Sequence, residues 1–174
     1  MNKILKSALA ATTLIALSAL GGTAYAATAT SNLAVSASVT ANCTIDASGG
    51  LAFGAYDPVV TNASTDLTGS GTINTTCTNG AAATITLGQG ANADTGSTDA
   101  APVRRMLSGA SDYLSYQLYS DSGRTTVWGN TAGTGAAVTG TGAAVSTTVY
   151  GSVAAGQNVA SGSYSDTVVA TVTF

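Results

Sequence analysis

Few residues in this chain could do chemistry. The sequence has no histidine and no glutamate, and its only lysines, Lys3 and Lys6, stand at the extreme N-terminus. Eight aspartates, three arginines and two cysteines remain. Most general acid–base and covalent catalysis uses His, Glu or an amine nucleophile, which the chain lacks after Lys6, so no enzyme and no cofactor is expected. Aspartate, hydroxyl and backbone oxygens could serve only a hard cation such as calcium. The aspartates are scattered and none lies in a D-x-D-x-D-G loop, so no metal site is expected either. Arg104, Arg105 and Arg124 cannot neutralise a run of phosphates, which argues against nucleic-acid binding.

The remaining candidate chemistry is a disulfide, and its case rests on where the chain is sent. Lys3 and Lys6 form a positive start, residues 8–20 are apolar, and Ala24-Tyr25-Ala26 is a small-x-small cleavage site. This is the pattern of a secretion signal over residues 1–26, too short in its apolar part to span a membrane. Removing those 26 residues leaves 148 with a net charge of −5, an exported chain the size of one ordinary domain. In an oxidising compartment an even cysteine count reads as a bridge, here Cys43–Cys77, rather than a metal pair. Closing a loop of that length contributes about 3–4 kcal/mol on the chain-entropy estimate.

The elements that must carry these residues are strands. Short apolar–polar alternations recur between Gly, Asn and Asp clusters, and no convincing helix follows the signal, which is the pattern of an all-β sandwich or barrel. In residues 27–42, Leu33, Val35, Ala37, Val39 and Ala41 share one parity, while Asn32, Ser36, Ser38 and Thr40 hold the other. That is a strand with one apolar face. The pattern fits equally the first strand of a self-contained sandwich and a strand that completes a neighbour's sheet.

Leu51, Phe53 and Ala55 alternate before Asp57-Pro58 breaks the run. Residues 67–78 and 83–88, joined by Asn79-Gly80, are predicted to form a hairpin. Residues 89–102 are a polar loop. Leu114, Tyr116 and Leu118 make one strand face, and Val145 to Val153 a further strand. Arg104 and Arg105 are expected at a solvated strand end or paired with an aspartate, and Asp112, Asp121 and Asp166 in turns or at edges. The last segment, 162–174, is predicted to be one strand with Tyr164, Val168, Ala170, Val172 and Phe174 on a common face.

The Cys43…Cys77 pair, the run RRMLSGASDYLSYQLYSDSGRTTVWG (104–129) and the ending GSYSDTVVATVTF (162–174) resemble the spore coat protein U domain family. That family includes pilin subunits of archaic chaperone–usher pili. The resemblance implies an incomplete, six-stranded immunoglobulin-like sandwich over residues 43–174, whose missing strand leaves an apolar groove. It implies that residues 27–42 are a donor strand, with Leu33, Val35, Ala37, Val39 and Ala41 filling the groove of the next subunit by β-augmentation. The C-terminal strand would line the groove. The partners implied are other pilin subunits, a periplasmic chaperone and an outer-membrane usher, with the product a cell-surface fimbrium in adhesion or biofilm. A spore-coat or surface-matrix protein of the same family is the alternative, and a small surface-binding adhesin module a further one.

For the bridge, mass spectrometry without reductant should find the chain two hydrogens lighter than its sequence mass, with no alkylatable thiol. Two alkylatable thiols would refute it.

Overall fold

The computed structural model describes residues 25–109 and 111–174; the predicted signal lies outside them except for its last two residues. Two units are distinguished, ending and beginning at Ala37 and Ser38. In the first, residues 25–37 have no regular secondary structure and every one is exposed. The second, Ser38–Phe174, holds all the strands.

In chain order the strands are β1 (Cys43–Asp46), β2 (Leu67–Cys77), β3 (Ala82–Leu87), β4 (Arg104–Ser108), β5 (Asp112–Tyr119), β6 (Ala136–Thr139), β7 (Ala144–Val153) and β8 (Ala170–Thr173). They form a five-stranded sheet, β1-β2-β7-β5-β4, and a three-stranded sheet, β6-β3-β8. All pairings are antiparallel. The inner faces meet in a core of Ile73, Ile85, Leu87, Leu114, Tyr116, Leu118, Trp128, Val149 and Val153. Two antiparallel sheets with consecutive strands switching between them make an immunoglobulin-like sandwich. Among the described residues there are eight strands where six were expected, three of which, β1, β6 and β8, are only four residues long.

The disulfide is present, Cys43–Cys77 with a Cα–Cα distance of 4.1 Å. The two residues are also direct register partners, so the bond ties the short edge strand β1 to β2. Leu114, Tyr116 and Leu118 share the buried face of β5, and residues 89–102 form no strand, both as expected.

Further expectations fail. Residues 67–78 and 83–88 do not form a hairpin: β2 pairs with β1 and β7, whereas β3 pairs with β6 and β8. The Asn79-Gly80 turn exists, with Gly80 at φ +80° and the Ala81 amide donating to Thr78 O, but it carries the chain from one sheet to the other. Both strands are apolar toward a common core, and facing each other across it buries Ile73 against Ile85 and Leu87, which edge pairing would not. Gly140 seals the corner: its amide donates to Ala81 O, and a Cβ there would meet Thr78 O.

The C-terminal segment is not one strand. Only residues 170–173 lie in a ladder, pairing with β3. Upstream, Ser165 bridges Leu107 of β4, Thr167 O accepts from Ala91 and Val169 O from Gly88. The segment crosses from one sheet to the other, so no single ladder can hold it. Its alternation survives, with Tyr164, Val168, Ala170 and Val172 packed against the core.

Arg104 is not a solvated strand end; it is fully buried. Its guanidinium donates to the carbonyls of Leu87, Gly88 and Trp128 at 2.7–3.0 Å and to Gln117 Oε1 at 2.6 Å. Trp128, equally buried, donates its indole N–H to Ile85 O at 2.8 Å. β4 of one sheet, β3 of the other and the Trp128 turn are thus joined by one side chain. Arg105 does pair with an aspartate, Asp94, at 2.9 Å.

Replacing Arg104 with Ala would leave several buried carbonyls without donors, at about 1–3 kcal/mol each. Urea unfolding of Arg104→Ala should show a loss of about 3 kcal/mol or more, against under about 1 kcal/mol for Arg105→Ala.

Candidate functional site

Between the sheets of the second unit lies a cleft of about 990 Å³. Its floor is core: Ile73, Leu114, Leu118, Val149 and Val153. On one side runs the segment Leu51–Tyr56, and on the other residues 159–168. Neither belongs to a strand, so two stretches of chain flank an apolar trough without closing it.

Sequence predicts groove-lining residues at Tyr164, Val168, Ala170, Val172 and Phe174. Tyr164, Val168 and Ala170 line the cleft. Val172 packs against the core without reaching the cleft lining, and Phe174 is 54% exposed. In the other predicted set, Leu33, Val35 and Val39 are 87%, 85% and 84% exposed, and Ala37 and Ala41 are exposed as well. Residues 27–42 form no strand, as an extended segment without a ladder partner cannot.

The cleft carries one polar cluster. Tyr116 donates its hydroxyl to Asp166 Oδ2 at 2.7 Å, and Asp166 Oδ1 accepts from the Asn92 backbone amide and side-chain Nδ2. Asp166, half-buried, thus anchors the crossing C-terminal segment beside the edge strand β4. Gly90, at φ +91°, makes room for it: a Cβ there would meet the Asp166 carboxylate. Burial, and then the bond to Asp166, push the Tyr116 hydroxyl far above its ordinary value. Burial lowers Arg104 to about 10, with Tyr116 and Asp166 opposing the shift. Asp121 is a turn residue as expected: the Thr126 and Thr125 amides donate to it and hold its carboxyl below the usual range. Among the described residues no group of three or more Cys, Asp, Glu or His is placed to hold a metal ion.

The sequence reading missed the floor beneath Leu51 and Phe53. Gly69 and Gly71 of β2 and Gly151 of β7 lie under them, Gly69 and Gly151 being register partners. A Cβ on Gly151 would stand 2.7 Å from the Phe53 ring, and one on Gly71 would meet Gly50 O. Glycine inside a strand often marks the close approach of another chain segment, and T-G-S-G-T at 68–72 was that signal.

The Tyr116 proton gives a pH test. Its folded pKa lies above its ordinary value of 10.0, so above that pH the native state keeps a proton that the unfolded chain has lost. The hydroxyl's contribution is then full below pH 10.0 and is lost as pH rises toward the folded pKa. Tyr116→Phe should be less stable than the parent near pH 7, and its urea midpoint should fall less between about pH 9 and about pH 11. Arg104, whose folded pKa is lowered to about 10, has the opposite slope.

Comparison with known proteins places the chain. The family model for the Spore Coat Protein U domain matches residues 29–171. Protein U of Myxococcus xanthus is 52% identical over 180 residues, covering the whole of both chains. Among solved structures, the CsuC–CsuE chaperone–tip adhesion subunit pre-assembly complex from archaic chaperone-usher Csu pili of Acinetobacter baumannii is 17% identical with a TM-score of 0.45. That match covers 78% of this chain, which spans only 40% of the solved one. By the family model and the full-length relative, this chain belongs to the Spore Coat Protein U domain family.

Proposed function

We propose that this chain is a structural subunit of a surface fibre, assembled by a chaperone–usher pathway through donor-strand complementation. One observation carries the reading: an apolar cleft of about 990 Å³ in the folded unit coexists with an exposed, alternating Leu33–Ala41 stretch in the same chain. Each lacks a partner of the kind the other supplies. Same-face residues recur every ~6.7 Å, so the five donor positions span about 27 Å, enough to run along a sandwich.

In this reading Leu33, Val35, Ala37, Val39 and Ala41 of one subunit enter the cleft of the next beside residues 164–170. A periplasmic chaperone covers the cleft until an outer-membrane usher brings subunits together. Burying Leu33, Val35 and Val39 would stabilise the joint by about 5–8 kcal/mol, and each ladder hydrogen bond would add ~1 kcal/mol. Export through residues 1–26 and a fimbrium at the cell surface, in adhesion or biofilm, complete the proposal.

The full-length likeness to Protein U and the family's description favour a second reading, a spore-coat or surface-matrix protein. Strand exchange could build either product. A fibre would be sheared from the cells and visible as filaments; a coat protein would stay with the spore or envelope fraction.

The donor strand is tested with residues 27–174 and a version lacking 27–41, each with and without a peptide of that segment. The full chain should form ladders that survive SDS unless boiled, and Leu33→Asp with Val35→Asp should abolish them. The shortened chain should melt lower and recover when the peptide is added. An unchanged melting temperature and indifference to the peptide would refute the reading.

A further inference from the structure

Leu51–Tyr56 looks at first like one wall of the cleft, but its contacts are not those of a wall. Among the described residues, none of its backbone N–H or C=O groups makes a hydrogen bond. It is held by side chains alone. Leu51 and Phe53 lie over the notch made by Gly69, Gly71 and Gly151, and the Phe53 ring meets Tyr116 edge-on at 5.9 Å between centroids. At the far end the Tyr56 hydroxyl donates to Ala154 O at 2.9 Å and accepts from the Gln157 amide at 2.8 Å.

Those apolar contacts are on the cleft floor, where an inserted strand would have to place its own side chains. The segment also copies the pattern of the exposed stretch: Leu51-Ala52-Phe53 matches Leu33-Ala34-Val35 in spacing and type. Glycines in strand interiors weaken a sheet, and the notch spends three of them on admitting this one segment. A segment seated by side chains but lacking a ladder fills space without completing the sheet, so a strand supplying both would displace it.

We propose that Leu51–Tyr56 is a resident occupant of the cleft whose anchoring competes with insertion of the donor strand. It covers part of the apolar floor in the free subunit and shifts when the donor arrives. The proposal rests on the donor-strand reading and adds to it a gate within the subunit itself. When a site is open for only part of the time, the observed affinity falls by that fraction, so loosening the occupant raises it.

Tyr56→Phe removes both tethers of the hydroxyl and leaves the floor untouched. Uptake of a fluorescent peptide of residues 27–41 would be followed by anisotropy on the full secreted chain carrying Leu33→Asp and Val35→Asp, which keeps its own donor out of the clefts and serves as parent, and on the same chain with Tyr56→Phe. Tyr56→Phe should take up the peptide about tenfold faster or tighter than the parent, while unfolding at lower urea. Unchanged or weaker uptake, with the parent still binding, would overturn the gate and leave the donor strand standing, because a wall weakened by the same change would bind less. No uptake by parent or variant would overturn both. Uptake by the variant alone would establish the gate most directly. Should Tyr56→Phe not fold, Phe53→Ala, which removes the ring over the glycine notch, decides by the same outcomes.

Discussion

A buried positive charge organises this sandwich. Arg104 has no exposed surface, yet at neutral pH it remains protonated even with its pKa lowered to about 10. Its hydrogen bonds run to the carbonyls of Leu87, Gly88 and Trp128 and to Gln117 Oε1, so neutral acceptors surround the cation. Desolvating a charge is tolerable only when its donors are matched, and matching them fixes the end of β3, the Trp128 turn and β5 relative to β4. With so many Gly, Ala, Ser and Thr residues in the chain, apolar burial alone specifies position weakly. A fork of directional donors specifies it strongly.

A second polar anchor, Tyr116–Asp166–Asn92, does the same for the crossing C-terminal segment. Tyr116 and Asp166 line the cleft, and the disulfide ties down the β1 edge. Leu51–Tyr56 and residues 159–164, which border it, stay outside the ladders. In the proposed fibre another chain would complete this trough, and an unpaired sheet edge is a hazard unless something covers it. Leu51 and Phe53, lying on the floor, reduce the apolar surface left open.

The β5 face, the Cys43–Cys77 bridge between strands and the β7 strand were legible because period-two alternation and cysteine parity are local facts. The false hairpin at Asn79-Gly80 shows the limit: the dipeptide specifies a turn but not whether the strands after it pair or face each other. Arg104 was misplaced because an arginine in a sequence looks solvated, and nothing local discloses four acceptors contributed by β3, β5 and the Trp128 turn.

The sequence by itself determined the absence of histidine and glutamate, the all-β class, the bridge and two amphipathic stretches, near residues 33–41 and 164–172. Each follows from residue types and spacings along a few turns of chain. Only the tertiary structure decided which strands share a sheet, that Arg104 is interior, that Asp166 anchors the crossing C-terminal segment, and that Leu51 and Phe53 rest in a glycine notch beside an open trough. Those outcomes depend on which distant segments meet, through burial and donor matching across the sandwich, and no stretch of sequence carries that pairing alone.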